Sequence, residues 1–114
     1  MLEIQGKNLK FTRGDSVRFN IKLKGREFPE GTYAVFSVKE TLYEPALPTI
    51  VKEVDVNSGI AGVILESFET AIPVGHYYWD LRIREPAADG SQFIHTPMEY
   101  GMIKVVEAVG ELYE

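Results

Sequence analysis

The residues that can do chemistry in this chain are few and scattered. His76 and His95 are the only histidines, and no cysteine is present. A metal site needs several ligands at defined spacing, and no such cluster forms around either histidine, so both read as solvated strand residues and no metal is expected. Ser16, Ser37, Ser58, Ser67 and Ser91 have no supporting His–Asp arrangement for nucleophilic attack. The carboxylates are plentiful but dispersed, so no acid–base pair stands out. Gly59 and Gly62 do not make a phosphate loop. The expectation is no catalytic residue, no cofactor and no enzymatic activity.

Two segments invite a binding chemistry. Arg13-Gly14-Asp15-Ser16 carries the integrin-recognition tripeptide, but Gly-Asp before a strand is also an ordinary turn. His76-Tyr77-Tyr78-Trp79 offers aromatics for a carbohydrate platform. Alternation along a strand separates Trp79 from His76 and Tyr78, which argues against one flat surface. Charge is more informative. The chain has net charge −5, which makes it a poor nucleic-acid binder. Residues 1–26 nevertheless hold seven cations against Glu3 and Asp15, a local balance of +5, leaving −10 on the remainder. Two readings fit. Neighbouring strands can pair these charges across the sheet, or the surface is bipolar and suited to head-to-tail assembly. In the second reading Arg18, Lys22 and Lys24 form an outward basic stripe, partly neutralised by Glu53 and Asp55, and the contact is heterologous and ring-closing.

The elements that position these residues are strands. Val17, Phe19, Ile21 and Leu23 alternate with Arg18, Asn20, Lys22 and Lys24. Tyr77, Trp79, Leu81 and Ile83 alternate with His76, Tyr78, Asp80, Arg82 and Arg84. A period of two with one apolar face is the mark of a half-buried antiparallel strand. Weaker strands are expected over Thr32–Lys39, Ile50–Val56 (with Lys52 interrupting its apolar face), Ile60–Leu65, Gln92–His95 and Tyr100–Val106. Leu2–Ile4 and Leu9–Phe11 read as one short, split first strand. Asn57-Ser58-Gly59 reads as a tight hairpin, Asp89-Gly90 as a turn, and Thr41–Thr49 as the longest loop. Glu66–Ala71 is the only helical candidate. The expected core is Val17, Phe19, Ile21, Leu23, Phe36, Val38, Tyr77, Trp79, Leu81, Ile83, Ile103 and Val105.

At 114 residues the chain fits one domain, 1–114, with 109–114 as a tail. The lack of cysteines, of a leader-like start and of a membrane-length apolar run predicts synthesis and folding in a cytoplasm, with no membrane partner. Seven or eight short strands with regular turns predict an all-β, immunoglobulin-like antiparallel sandwich. Within it Ile72-Pro73-Val74-Gly75-His76-Tyr77 resembles a tyrosine corner, with Tyr77 tying the crossover loop to the sheet and Trp79 anchoring the core.

The ordered set Arg13-Gly14-Asp15-Ser16-Val17-Arg18-Phe19-Asn20-Ile21, Ala34–Lys39, Ile72–Ile83 and Thr96–Val105 resembles the immunoglobulin-like domain at the start of phage baseplate upper proteins and similar small phage tail proteins. Those baseplate proteins continue into further segments beyond the sandwich. The resemblance implies a structural virion component, made in the host cytoplasm, that contacts itself and other virion proteins. A different class of function, a carbohydrate-binding or fibronectin-like adhesive module, stays open beside it. Solution mass separates the two: a defined ring or trimer favours the virion component, a glycan-binding monomer the module.

Overall fold

The computed structural model describes residues 1–23, 27–42 and 47–109. In chain order it contains β1 (Leu2–Gln5), β2 (Asn8–Thr12), β3 (Val17–Lys22), β4 (Tyr33–Lys39), β5 (Ile50–Asn57), β6 (Ile60–Leu65), a single helical turn α1 (Ser67–Thr70), β7 (Gly75–Pro86), β8 (Gln92–His95) and β9 (Gly101–Val106). Lys24 of the expected basic stripe lies outside the described residues, as do the central part of the Thr41–Thr49 loop and residues 110–114 of the tail.

The protein is all-β, but it is not the two-sheet sandwich that the strand pattern predicts. Eight strands follow one hydrogen-bonded path, β1-β2-β9-β7-β4-β5-β6-β3, which curls into a nearly closed barrel, with β8 added beside β7. The reason is β5. Its residues Ile50–Asp55 pair with β4, while Val56 and Asn57 pair with β6. One strand therefore belongs to both walls and joins what would otherwise be separate sheets. The β5–β6 turn is built for that corner. Ser58 and Gly59 both have positive φ, 52° and 73°, as a two-residue type I′ hairpin requires.

The first strand also differs from expectation. Its two halves fold back on each other as an antiparallel hairpin around Gly6 (φ 61°). β2 then runs parallel to β9. Among the described residues β3, at the far end of the path, pairs with β6 alone.

All twelve expected core side chains are buried. Phe19 of β3 meets Phe36 of β4 edge-on at 5.6 Å between centroids, and Phe36 lies 5.4 Å from Trp79. This aromatic series crosses the barrel interior and places β3 across the core from β4. Lys52, which interrupts the inward face of β5, reaches α1 and donates to Glu69 Oε1 at 2.8 Å. Glu69 also accepts the Glu66 backbone N–H at 3.0 Å, closing a capping box on the helical turn. Burial pushes the Glu69 carboxyl up. The Lys52 hydrogen bond, the Glu66 amide and the Lys52 charge outweigh that and hold it below its ordinary value.

Candidate protein-contact face

Only two residue pairs join β5 to β6. Beyond Asn57 and Val56 the strands diverge and open an outer groove of about 550 Å3, lined by Asn20, Lys52, Glu53, Val54, Asp55, Asn57, Ile60, Gly62 and Ile64. Period-two alternation assigns the sides. β6 turns Ala61, Val63 and Leu65 inward and leaves Ile60, Gly62 and Ile64 outward. Ile60 and Ile64 are respectively 39% and 47% exposed, so the β6 side of the groove is apolar and open to water. β3 contributes Arg18, Asn20 and Lys22, all outward. β5 contributes Val51, Glu53, Asp55 and Asn57. The face thus carries an acidic column on β5, an apolar column on β6 and a basic column on β3.

Among the described residues the charges of these two columns are not paired with one another. Lys7, Lys10 and Arg13 do pair with Glu99, Glu3 and Glu107, at 3.8–3.9 Å and at exposed positions, where such pairs contribute little. Arg18, Lys22, Glu53 and Asp55 make no side-chain hydrogen bond or ion pair among the described residues. β6 stands between β3 and β5, so Glu53 and Asp55 do not neutralise the basic stripe as the sequence reading allows. Nor is β3 central, as a sandwich would have it. Ile60, Gly62 and Ile64 are what the sequence reading missed. Its signal was a run of six residues, IAGVIL, with no outward polar side chain, which marks a face with something to cover.

Tyr77 and Trp79 act from β7, in the part of the barrel whose strands are paired along their length. The Tyr77 phenol donates to the Pro73 carbonyl four residues upstream. Burial raises its pKa, helped by the Glu40 charge and opposed by Arg13. The Trp79 indole N–H donates to the Lys7 carbonyl at 2.9 Å and ties β7 to the β1–β2 turn.

The other binding candidates are dispersed. Trp79 is buried, so it adds no exposed ring to a platform with His76 and Tyr78. Tyr78 instead meets Tyr100 edge-on at 5.6 Å. Beside them Asp80, Ser37, Lys39 and Leu42 complete a notch of about 140 Å3. Burial pushes the Asp80 carboxyl above its ordinary range, against the pull of Arg82 and Lys39. The Arg13-Gly14-Asp15 turn is tied down: the Arg13 amide donates to Val106, the Gly14 amide to Thr70, and the Thr70 hydroxyl to the Asp15 carbonyl at 2.6 Å. His95 is not the solvated residue expected. It pairs with the buried Glu85 at 2.7 Å between the rings of Phe28 and Phe93. Among the described residues no group of three His, Cys, Asp or Glu gathers as metal ligands, and no helix is long and apolar enough to cross a membrane.

Models of known protein families give no match to this chain, and a search of curated proteins finds no similar sequence.

Proposed function

We propose that this chain is a non-enzymatic assembly domain of a phage tail or baseplate, acting through protein–protein contacts. The phage setting rests on the sequence resemblance. The assembly role rests on one observation: an exposed apolar column on β6, flanked by charges of opposite sign that pair with none of the described residues. A contiguous exposed apolar strip with a polar rim has the anatomy of a protein interface. It is ill suited to enclosing a small molecule, which needs a concave pocket with convergent polar groups.

The test is where the chain resides. Particles purified from cells that encode it should contain it at a fixed copy number, read by quantitative mass spectrometry. Its absence from particles overturns the reading. The Tyr78–Tyr100 notch with Asp80 favours a second reading, a carbohydrate-binding accessory module. At about 140 Å3 the notch is smaller than the roughly 300–1,000 Å3 of sites that bury a small ligand. Glycan-array binding lost on Tyr100→Ala would establish that alternative.

A further inference from the structure

We infer that the β5–β6–β3 face is a self-complementary contact through which two copies of this chain pair about a two-fold axis running along the strands. The inference rests on the assembly reading and specifies its partner and symmetry.

The register sets β3 against β6 along their length, and the end of β5 against the start of β6. Arg18 lies opposite Ile64, Asn20 opposite Gly62 and Lys22 opposite Ile60. On the other side Asn57 lies opposite Ile60. Carried past the two β5–β6 pairs, the same antiparallel count takes Asp55 toward Gly62 and Glu53 toward Ile64 across the widening groove. On that count the face runs across three strands as Glu53, Ile64, Arg18; then Asp55, Gly62, Asn20; then Asn57, Ile60, Lys22, of which the last is paired across all three strands.

Charge selects the symmetry. A two-fold axis along the strands exchanges left and right but keeps the levels. Arg18 of one copy then faces Glu53 of the other, and Asp55 falls between Arg18 and Lys22, within diagonal reach of both. A two-fold axis across the strands sets basic column on basic column and acidic on acidic, which is repulsive. The first arrangement is isologous: the same patch serves both copies, and association stops at two. It differs from the head-to-tail ring expected from the charge distribution alone, because both columns lie on one face, on either side of β6. Ile60 and Ile64 of both copies are enclosed between the charged columns. Gly62, with no side chain, lets the two β6 strands approach.

The test uses the whole chain in sedimentation velocity and native mass spectrometry. The parent should show a monomer–dimer equilibrium that weakens with salt, as exposed charges are screened. Arg18→Glu with Lys22→Glu gives a face acidic on both sides. Glu53→Lys with Asp55→Lys gives one basic on both sides. Each variant alone should dimerise on the order of a hundredfold more weakly, since like charges then meet. Mixed, the two should recover a one-to-one heterodimer. All four positions are exposed, so unchanged circular dichroism and melting midpoints verify the fold.

Three results overturn the inference: a parent that stays monomeric at its highest soluble concentration, dimers indifferent to both variants, or growth of the parent or the mixture past two copies into rings or chains. Any of these can occur while the chain is still found in particles, so failure of the dimer and failure of the assembly role are read separately.

Discussion

Gly101 on β9 and Gly62 on β6 sit in the two halves of the barrel and meet opposite surroundings. A Cβ at Gly101 would fall inside contact distance of the Lys7 carbonyl and the Trp79 indole ring. A Cβ at Gly62 would meet only the Asn20 side-chain oxygen, at 3.5 Å. The half built from β2, β9, β7 and β4 is paired along its length and stapled by the Trp79 and Tyr77 hydrogen bonds. The half built from β5, β6 and β3 is joined to it through β5, diverges past two residue pairs, and keeps isoleucines in water. Both halves supply the interior, the first the larger share. They differ in how their strands are tied: the first is paired and stapled throughout, and the second opens between β5 and β6.

The comparison breaks first if the two halves do not share one core. Trp79→Ala on the closed side and Phe19→Ala on the open side are each expected to cost about 3–5 kcal/mol, the usual range for a large aromatic removed from a packed interior. Trp79 belongs at the upper end, since its loss also strips the Lys7 carbonyl of its donor. Urea unfolding at constant slope is the measurement. A cost under about 1 kcal/mol for Phe19→Ala would mean that β3 is an appendage rather than a wall.

The glycines give the next contrast. Gly101→Ala should cost about 1–3 kcal/mol, because backbone and indole must move to admit a methyl group in a tight interior. Gly62→Ala should stay within about 0.5 kcal/mol, as surface changes away from special features do. Equal effects would erase the distinction between a stapled and an open half.

Tyr77→Phe is expected to cost about 0.5–1.5 kcal/mol, the net value of one neutral hydrogen bond, while leaving the fold intact. Coincident denaturation midpoints for the variant and its parent would show that the phenol–Pro73 bond does not hold the crossover loop.

What the sequence made legible was local. The faces of β3 and β7 followed from alternation, because a period of two determines which side chains share a side. The Asn57-Ser58-Gly59 turn followed from the rarity of residues that tolerate positive φ. What stayed hidden was set by pairing between distant strands. Nothing in Ile50–Asn57 announces that its last two residues leave β4's neighbourhood for β6. That switch turns two sheets into one path. The contact face was hidden for the same reason. Arg18, Lys22, Glu53 and Asp55 were each visible, but their placement on either side of Ile60, Gly62 and Ile64 exists only once β5, β6 and β3 are side by side.

The smallest expected effect concerns Asp80, which lies opposite Ser37 on the closed half's outer surface. Burial raises its pKa above the ordinary 3.8, and Arg82 and Lys39 only partly offset this. A carboxyl with a raised folded-state pKa binds its proton more tightly when folded. It therefore contributes stability that is fully present below pH 3.8 and is lost as pH rises through the raised value. Near neutrality the ionised Asp80 is a mild burden. Asp80→Asn keeps the shape and removes the charge, so it should stabilise the domain at neutral pH by about 0.5 kcal/mol, a figure kept small because the group is half-exposed and water screens it. The gain should shrink toward zero as the pH falls below the ordinary aspartate range, where Asp80 is already protonated. Thermal midpoints of both proteins across that range provide the readout. An Asp80→Asn variant that is less stable at neutral pH would mean that attraction to Arg82 and Lys39 outweighs burial at this site.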